Sequence, residues 1–150
     1  MSVVTTASDL EQLVGEINQA SWDDTNEMDP YDVAALSAYL ARQDNLFVVC
    51  HEIRHNARTL LGIASARFQL KPYANERWLY VDEVDVCADQ RRKGAGKAMM
   101  QKLIDMARAD GCEEVWLGAD KDNQAANALY RSLDPDDVSH VMGYTYETAA

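Results

Sequence analysis

The residues best suited to chemistry lie at a predicted strand-to-helix junction, in the run from Arg91 to Lys97 (RRKGAGK). Four of the chain's 14 lysine and arginine residues fall within these seven positions. The first turn of a helix has unpaired N–H groups and carries the positive end of the helix dipole. Gly94 and Gly96 let an anion approach those groups without an intervening Cβ atom. The junction therefore predicts a pyrophosphate site rather than an ordinary loop with solubilising charges.

Other phosphate motifs do not fit this junction. The chain has no G-x-x-x-x-G-K-[ST] sequence. The glycine pair also lacks the third glycine of the dinucleotide fingerprint, and no first βαβ unit surrounds it.

A second pattern, His51 to His55 (HEIRH), matches the H-E-x-x-H motif of zinc metalloproteases. That chemistry requires a helix, on which both histidines share a face. Here the pattern follows the β-branched run of residues 47–49 (FVV) and precedes Asn56, so we predict a hairpin loop. The remaining histidine, His140, does not provide a settled third ligand. We therefore expect no metal site.

Hydrophobic periodicity predicts the elements that position these residues. Strands are predicted at residues 2–6, 46–50, 60–70, 78–87, 114–119 and 138–147, and helices at 9–20, 30–44, 94–109 and 123–133. The strand–helix–strand step over residues 78–119 requires a right-handed crossover and a parallel pair. The earlier strands are joined by short turns and are predicted antiparallel. The expected class is α/β (an α+β mixed sheet), mostly antiparallel, with helices on both faces.

Composition limits the class of protein. With 150 residues, 47% hydrophobic and 26% charged, the chain fits one domain spanning residues 1–150. A net charge of −11 disfavours nucleic acid and suits a cationic small molecule, although many proteins are acidic for solubility. The chain starts without a basic leader and has no long apolar run, so we expect no membrane partner. Cys50, Cys87 and Cys112 are expected to be buried, reduced thiols, consistent with the cytoplasm.

Two segments carry a family resemblance. Residues 91–96 (RRKGAG) match the [QR]-x-x-G-x-[GA] signature of GNAT acetyltransferases, and residues 123–130 (NQAANALY) resemble their N-x-x-A-x-x-L-Y helix. The signatures occur at the right separation and in the right element order. The chain thus resembles the GNAT superfamily, well over residues 45–147 and loosely before them. This resemblance implies the GNAT fold, acetyl-CoA as the acetyl donor and pairing as a homodimer.

The resemblance also implies where coenzyme A binds. The backbone of the fourth strand would pair with the pantetheine arm like an added strand. The amides of the basic turn would hold the pyrophosphate, and Tyr130 would protonate the departing thiolate, unless it is an ordinary core aromatic. The implied cofactor-binding residues are Val84, Asp85, Val86, Arg91, Arg92, Lys93, Gly94, Ala95, Gly96, Lys97, Asn123 and Tyr130.

The resemblance implies an amine acceptor, which must lose a proton before it attacks the thioester. A carboxylate can accept that proton directly or through a water. The candidates are Glu83 and Asp85, which alternation places opposite Val84 and Val86. Alternatively, these carboxylates lie on a solvated face or pair with Arg67. Another base of the superfamily, a fifth-strand glutamate, is replaced here by Gly118.

The acceptor itself is suggested by a finer resemblance. Residues 80–86 with Arg91-Arg92, and residues 128–130 ahead of Val141-Met142, resemble aminoglycoside 3-N-acetyltransferases of type I, in which an aspartate stands at the position of Glu83. This implies an aminoglycoside acceptor and antibiotic resistance. Acidic and aromatic side chains before the second helix would attract ammonium groups. The candidate acceptor-binding residues are Trp22, Asp23, Asp24, Glu27, Asp29, Tyr31 and Glu83.

Several alternatives remain open. The acceptor could instead be a polyamine, another metabolite amine or a protein lysine. The acidic loop before the second helix could simply be solvated. In a different functional class, the chain could bind acyl-CoA without catalysing a reaction.

Overall fold

A computed structural model describes residues 2–5, 9–22 and 28–149, with residues 2–5 described by their backbone alone. The chain divides into two compact units, Met1–Leu117 and Gly118–Ala150. Each unit is described by itself.

The first unit contains one five-stranded sheet in the order β1-β2-β3-β4-β5. Only β4 and β5 run parallel, and the other neighbouring pairs are antiparallel. The expected mixed sheet with one parallel pair is therefore confirmed. The elements are β1 (Ser2–Thr5), α1 (Leu10–Gln19), α2 (Val33–Ala41), β2 (Asn45–Arg54), β3 (Ala57–Leu70), β4 (Arg77–Val86), α3 (Ala95–Ala109) and β5 (Glu114–Trp116).

Helices cover both faces of this sheet. On the first face, Leu13 and Ile17 of α1 pack with Phe47 and Ile63 in one apolar cluster, which α2 completes through Leu36. On the second face, α3 packs against the central strands. Its buried stripe consists of Met99, Met100, Leu103 and Ala107.

A β-bulge in β4 decides which side chains reach the first face. Ser65 pairs with Glu83 and Ala66 with Val81, so Asp82 is an extra, unpaired residue in β4. If Asp82 were an ordinary paired residue, strict alternation would place Glu83 on the same face as the buried Val81. The bulge instead turns Glu83 to the face of Ser65, because directly opposed residues share a face.

The predicted hairpin is present, but its loop is much shorter than the predicted segment between Cys50 and Thr59. β2 continues to Arg54 and β3 starts at Ala57, so only His55 and Asn56 form the turn. Both have positive φ angles, 50° and 63°, as a two-residue type I′ turn requires. Histidine and asparagine tolerate this left-handed conformation better than most residues, and the strands continue through the polar sequence.

The start of the second helix also differs from the expected cap at Asp29 and Pro30. Asp32 is the N-cap of α2, and its carboxylate accepts from Ala35 N–H at 3.2 Å. The backbone of the preceding residue, Tyr31, is already hydrogen-bonded to the side chain of Asn18. That contact uses the Tyr31 carbonyl, which would accept a hydrogen bond within a helix that started earlier.

The second unit contains α4 (Gln124–Arg131), capped by Asn123. The strand predicted at residues 138–147 is wrong, because residues 135–149 have no regular secondary structure. A strand needs a hydrogen-bonded neighbour, and this segment pairs with no other described strand. The fifth strand is likewise shorter than predicted and ends at Trp116. No helix in the described ranges is long and apolar enough to cross a membrane.

Candidate active site

The basic turn has the backbone geometry that an anion site requires. Gly94 precedes α3 with φ 80° and ψ 16°, a left-handed conformation that disfavours a side chain. The first hydrogen bond within the helix runs from Ala98 N–H to Gly94 O, at 3.0 Å. The N–H groups of residues 95–97 consequently have no partner inside the helix. They lie at the positive end of a 15-residue helix.

The cations around the turn play different parts. Arg91, Arg92, Lys93 and Lys97 are all exposed. Lys93 is nevertheless engaged, because its Nζ lies 2.7 Å from Gln90 Oε1 and 3.3 Å from Glu52 Oε2. Sequence reasoning missed Glu52 as a partner of this turn, since the contact crosses from the end of β2. The predicted phosphate role of Lys93 thus competes with a contact that holds the turn against the sheet.

The two β4 carboxylates lie on the predicted face. Asp85 pairs with Ile63 and is only 8% exposed, whereas Glu83 is exposed. Arg67 pairs with Asp82, at 3.4 Å between Nε and Oδ1. The alternative in which Glu83 or Asp85 serves as the Arg67 partner is therefore not supported.

Val84 and Val86, which were predicted to present their backbone to pantetheine, are half-buried. They pair with Ala64 and Gly62. An added Cβ at Gly62 would lie 2.7 Å from the carbonyl oxygen of Asp85 and from Met99 Cε. These two valines therefore share the face that α3 covers.

Two tyrosines lie on the face of the sheet that carries Glu83 and Asp85. Tyr31 and Tyr39 both contact the Phe47 ring, with centroid separations of 6.1 and 6.4 Å. Burial, followed by the nearby charges of Glu83 and Asp85, raises the pKa of Tyr31 to about 12. The phenol is therefore neutral at physiological pH.

The other predicted acceptor residues are only partly brought together. Trp22 donates from Nε1 to Ile17 O at 2.9 Å and packs against the core cluster, which restricts its predicted cation–π role. Asp29 is exposed. The remaining members of the predicted acidic loop lie outside the described residues: Asp23, Asp24 and Glu27.

The residues of the second signature lie in the second unit. Asn123 accepts from Ala126 N–H at 3.1 Å, so its side-chain oxygen caps α4. Tyr130 is half-buried within α4. Their predicted contacts with coenzyme A remain predictions.

The H-E-x-x-H pattern forms no metal centre in the described part of the chain. His51 through Arg54 belong to β2, and strand geometry separates the two histidines. His51 is 5% exposed, and its Nε2 lies 3.3 Å from Glu16 Oε2 without the alignment of a hydrogen bond. Burial and Arg58 lower the pKa of His51, outweighing the opposing effect of Glu16.

The three cysteines are free thiols. Cys50 and Cys87 are buried as expected, and Cys112 is partly exposed. Burial raises the pKa of Cys87 to about 12, which leaves it a poor nucleophile.

The helix α3, whose start has no side-chain cap, follows β4 in a mixed sheet with one parallel pair, which is the element order expected of a GNAT domain. The model of the acetyltransferase (GNAT) family matches residues 11–134. The chain belongs to this family, whose enzymes use acetyl-CoA as the acetyl donor.

Named relatives match part of the chain. An L-methionine sulfoximine/L-methionine sulfone acetyltransferase of Pseudomonas aeruginosa is 32% identical over 117 residues, covering 76% of this chain and 63% of that protein. A mouse protein, N-acetyltransferase family 8 member 3, is 28% identical over 97 residues, or 65% of this chain. The match spans only 42% of the mouse protein's length.

Solved structures support the fold. An aminoglycoside acetyltransferase from an uncultured soil metagenomic sample, in complex with sisomicin, superposes with a TM-score of 0.81. It is 20% identical and covers 99% of this chain and 96% of that one. A probable acetyltransferase has a TM-score of 0.79 at 18% identity, covering 100% of this chain and 99% of the other. At such identities the likeness shows the GNAT fold alone.

Proposed function

We propose that the chain is an acetyl-CoA-dependent N-acetyltransferase that acetylates a primary amine of a cationic small molecule. The observation that carries the proposal is the glycine-opened start of α3, which follows β4, together with Glu83 and Asp85 on the face of β4 opposite Val84 and Val86. The first provides anion-binding N–H groups and the second provides bases. Both features belong to the first unit.

The residues of the turn fit the diphosphate of coenzyme A. A Cβ is missing at Gly94, where φ is 80°, so a phosphate oxygen could approach the N–H groups of residues 95–97. Arg91, Arg92 and Lys97 would neutralise its charge. The backbone of residues 84–86 would hold the pantetheine arm as an added strand. Acetyl-CoA supplies the activated acetyl group when bound.

The carboxylates then prepare the amine. The acceptor arrives as an ammonium ion, and Glu83 or Asp85 takes one proton from it, directly or through a water. The neutral nitrogen gains a lone pair for attack on the acetyl carbonyl. Exposure favours Glu83 as the first carboxylate that the acceptor meets, while the buried Asp85 lies deeper. Tyr130 as the proton donor to the thiolate is part of this proposal by family resemblance.

An aminoglycoside is the leading acceptor in this proposal, with 3-N-acetylation and antibiotic resistance as the expected outcome. The net charge of −11 and the β4 carboxylates favour a polycation. The soil-derived aminoglycoside acetyltransferase crystallised with sisomicin shares the fold at 20% identity.

A second candidate is a small amino-acid-like amine. The Pseudomonas relative, at 32% identity, is named for acetylation of L-methionine sulfoximine and L-methionine sulfone. A polyamine or a protein lysine remains a further alternative acceptor. A non-catalytic module that binds acyl-CoA would need the basic turn but would not need two carboxylates on β4.

The test is release of the coenzyme A thiol from acetyl-CoA with separate amines: gentamicin, spermidine, L-methionine sulfoximine and a lysine peptide. We expect turnover with at least one amine and the highest kcat/KM with gentamicin. Calorimetry measures acetyl-CoA binding in parallel. Binding without turnover of any amine would contradict the enzyme and favour the binding module, and absence of binding would contradict the site itself.

Homodimer formation is also part of the proposal. Five apolar side chains after α4 are 58–83% exposed: Val138, Val141, Met142, Tyr144 and Tyr146. Such a concentration of exposed apolar surface is typical of an interaction site. We propose that a second copy covers it, and that the protein acts in the reducing cytoplasm.

A further inference from the structure

The strand register places the candidate bases in two rows across the first face of the sheet. Phe47 pairs with Ser65, which pairs with Glu83. Val49, Ile63 and Asp85 form the next row in the same way. Neighbouring strands lie about 4.8 Å apart, so Phe47 and Glu83 are separated by about 10 Å. Ser65 is the small residue between them.

Tyr31 lies over one end of the first row. Its ring contacts Phe47 at 6.1 Å with an interplanar angle of 55°. One side of the ring is therefore used for packing, which weakens the predicted role of Tyr31 as a cation–π face. Ser65, which lies between Phe47 and Glu83 in that row, has a short side chain. Both carboxylates influence the phenol electrostatically.

Tyr39 provides a comparison, because its ring lies on the same face and its hydroxyl has a structural role. Its ring also contacts Phe47, but its hydroxyl lies 3.0 Å from both Leu46 O and Ala66 O. That hydroxyl is satisfied by the backbone of β2 and β3. By contrast, the hydrogen bonds of Tyr31 within the described part of the chain join its backbone to Asn18, and none is seen from its hydroxyl.

The backbone of Tyr31 is held at two points. Asn18 Nδ2 donates to Tyr31 O at 2.9 Å, and Tyr31 N–H donates to Asn18 Oδ1 at 2.8 Å. A side-chain amide that bonds both groups of one residue fixes the position and the direction of that residue. The contact joins α1 to the segment before α2 across 13 positions.

We infer that Asn18 and Tyr31 position the acceptor amine, with the Tyr31 hydroxyl accepting an N–H of the amine opposite Glu83 and Asp85. Asn18 acts through Tyr31 and is a positioning residue. The inference rests on the proposed N-acetyltransferase function and names the group that orients its acceptor.

A neutral hydrogen-bond acceptor at this place orients the amine without adding to a conflict between acceptor binding and acceptor deprotonation. Two carboxylates attract an ammonium ion but also raise its pKa and resist its deprotonation. The high pKa of Tyr31 keeps its phenol uncharged, so it adds a hydrogen bond without a third negative charge. One N–H bond of the ammonium breaks and its proton forms an O–H bond on a carboxylate. One of the two remaining N–H groups donates to the Tyr31 hydroxyl, and the lone pair is left for the acetyl carbon.

The titratable groups that surround the Tyr31 hydroxyl come from β4 and α2. Glu83 and Asp85 face Tyr31 from β4, and Tyr39 faces it from α2. The ion pair of Arg67 and Asp82 lies beside Tyr39, as the influence of both groups on the Tyr39 pKa indicates.

The test is steady-state kinetics of Tyr31→Phe with gentamicin and with spermidine as separate acceptors. We expect kcat/KM for the amine to fall roughly 3- to 10-fold, the loss of one hydrogen bond, while calorimetric acetyl-CoA affinity is unchanged. The matched control, Tyr39→Phe, should lower the melting temperature but leave the KM of the amine as in the wild type. Asn18→Ala should also lower kcat/KM for the amine.

The double variant separates positioning from general destabilisation. If Asn18 acts through the hydroxyl, adding Asn18→Ala to Tyr31→Phe should lower kcat/KM less than the two separate losses combined. If the wild type is active and Tyr31→Phe has the same kcat/KM for the amine, this inference is overturned while the proposed function stands. Wild-type protein that binds acetyl-CoA but acetylates neither amine would overturn the proposed function, and this inference with it.

Discussion

Glu83 and Asp85 show how much one face of a strand contributes to the candidate chemistry. Alternation in the sequence correctly placed both opposite Val84 and Val86, because the period of a strand is local. The sequence did not indicate which one would be buried. That difference depends on packing from α1 and α2, which no local pattern contains.

Replacement of Glu83 by glutamine tests the assignment of the base. We expect kcat to fall about 10²- to 10⁴-fold because the amide cannot accept the proton, with little change in acetyl-CoA affinity. Stopped-assay kinetics and calorimetry provide both values. Asp82→Asn is the matched control, since its carboxylate is paired with Arg67 and its loss should affect turnover little. Full activity in Glu83→Gln would transfer the base to Asp85 or to a water.

His51 gives the fold a dependence on pH. Its pKa is lowered below the ordinary value of 6.5 by burial and Arg58, so the unfolded chain binds a proton more readily than the folded one. The free energy of unfolding should therefore fall as pH drops through 6.5, with a slope of at most about 1.4 kcal/mol per pH unit. Urea titrations between pH 7.5 and 5.5 measure this slope.

The matching variants are His51→Gln and His140→Gln. We expect the first to flatten the pH dependence of stability and the second, at an exposed position, to leave it unchanged. Identical slopes in wild type and His51→Gln would assign the pH dependence to other groups.

At the scale of elements, the sequence predicted the features that depend on neighbouring residues. It did not predict the features that depend on contacts with distant elements. The helical range predicted at 94–109 and the buried stripe of α3 follow from short-range periodicity. The bulge at Asp82 and the late start of α2 depend on contacts with other elements. The predicted strand at 138–147 had the right alternation but no partner, and alternation alone does not provide one.

The start of α3 carries the next prediction, which concerns Gly94→Ala. A left-handed φ of 80° at this position costs an alanine about 1–2 kcal/mol, and the new Cβ obstructs the proposed phosphate site. We expect both lower stability and at least about 10-fold weaker acetyl-CoA binding by calorimetry. Gly111→Ala is the matched control, with φ 77° and no atom within 4 Å of the added Cβ. It should lose similar stability and bind acetyl-CoA normally; equal affinity in both variants would refute the phosphate site.

At the scale of the whole molecule, charge is distributed unevenly. The net charge is −11, yet four cations cluster within seven residues at one turn. An acidic surface attracts a cationic acceptor and repels anions generally, while the turn remains the local place for a diphosphate. Composition alone indicated this division, because counts and clustering of charge are visible in sequence. Which carboxylates face the acceptor was not visible, because charge counts contain no information on tertiary placement.

The exposed apolar segment after α4 leads to a prediction about assembly. Met142, Tyr144 and Tyr146 occupy every second position of the sequence and are highly exposed. This spacing would place them on one face of a strand if a second copy supplied the partner strand. We expect light scattering after size-exclusion chromatography to give twice the mass of 16.8 kDa. A Met142→Ser, Tyr144→Ser variant should elute as a monomer, because burying serine hydroxyls in place of apolar groups opposes association. Tyr73→Ser is the control, since Tyr73 is 70% exposed in a different turn and should not affect the mass. A wild-type monomer, or a dimer that both variants retain, would show that this segment is not the contact.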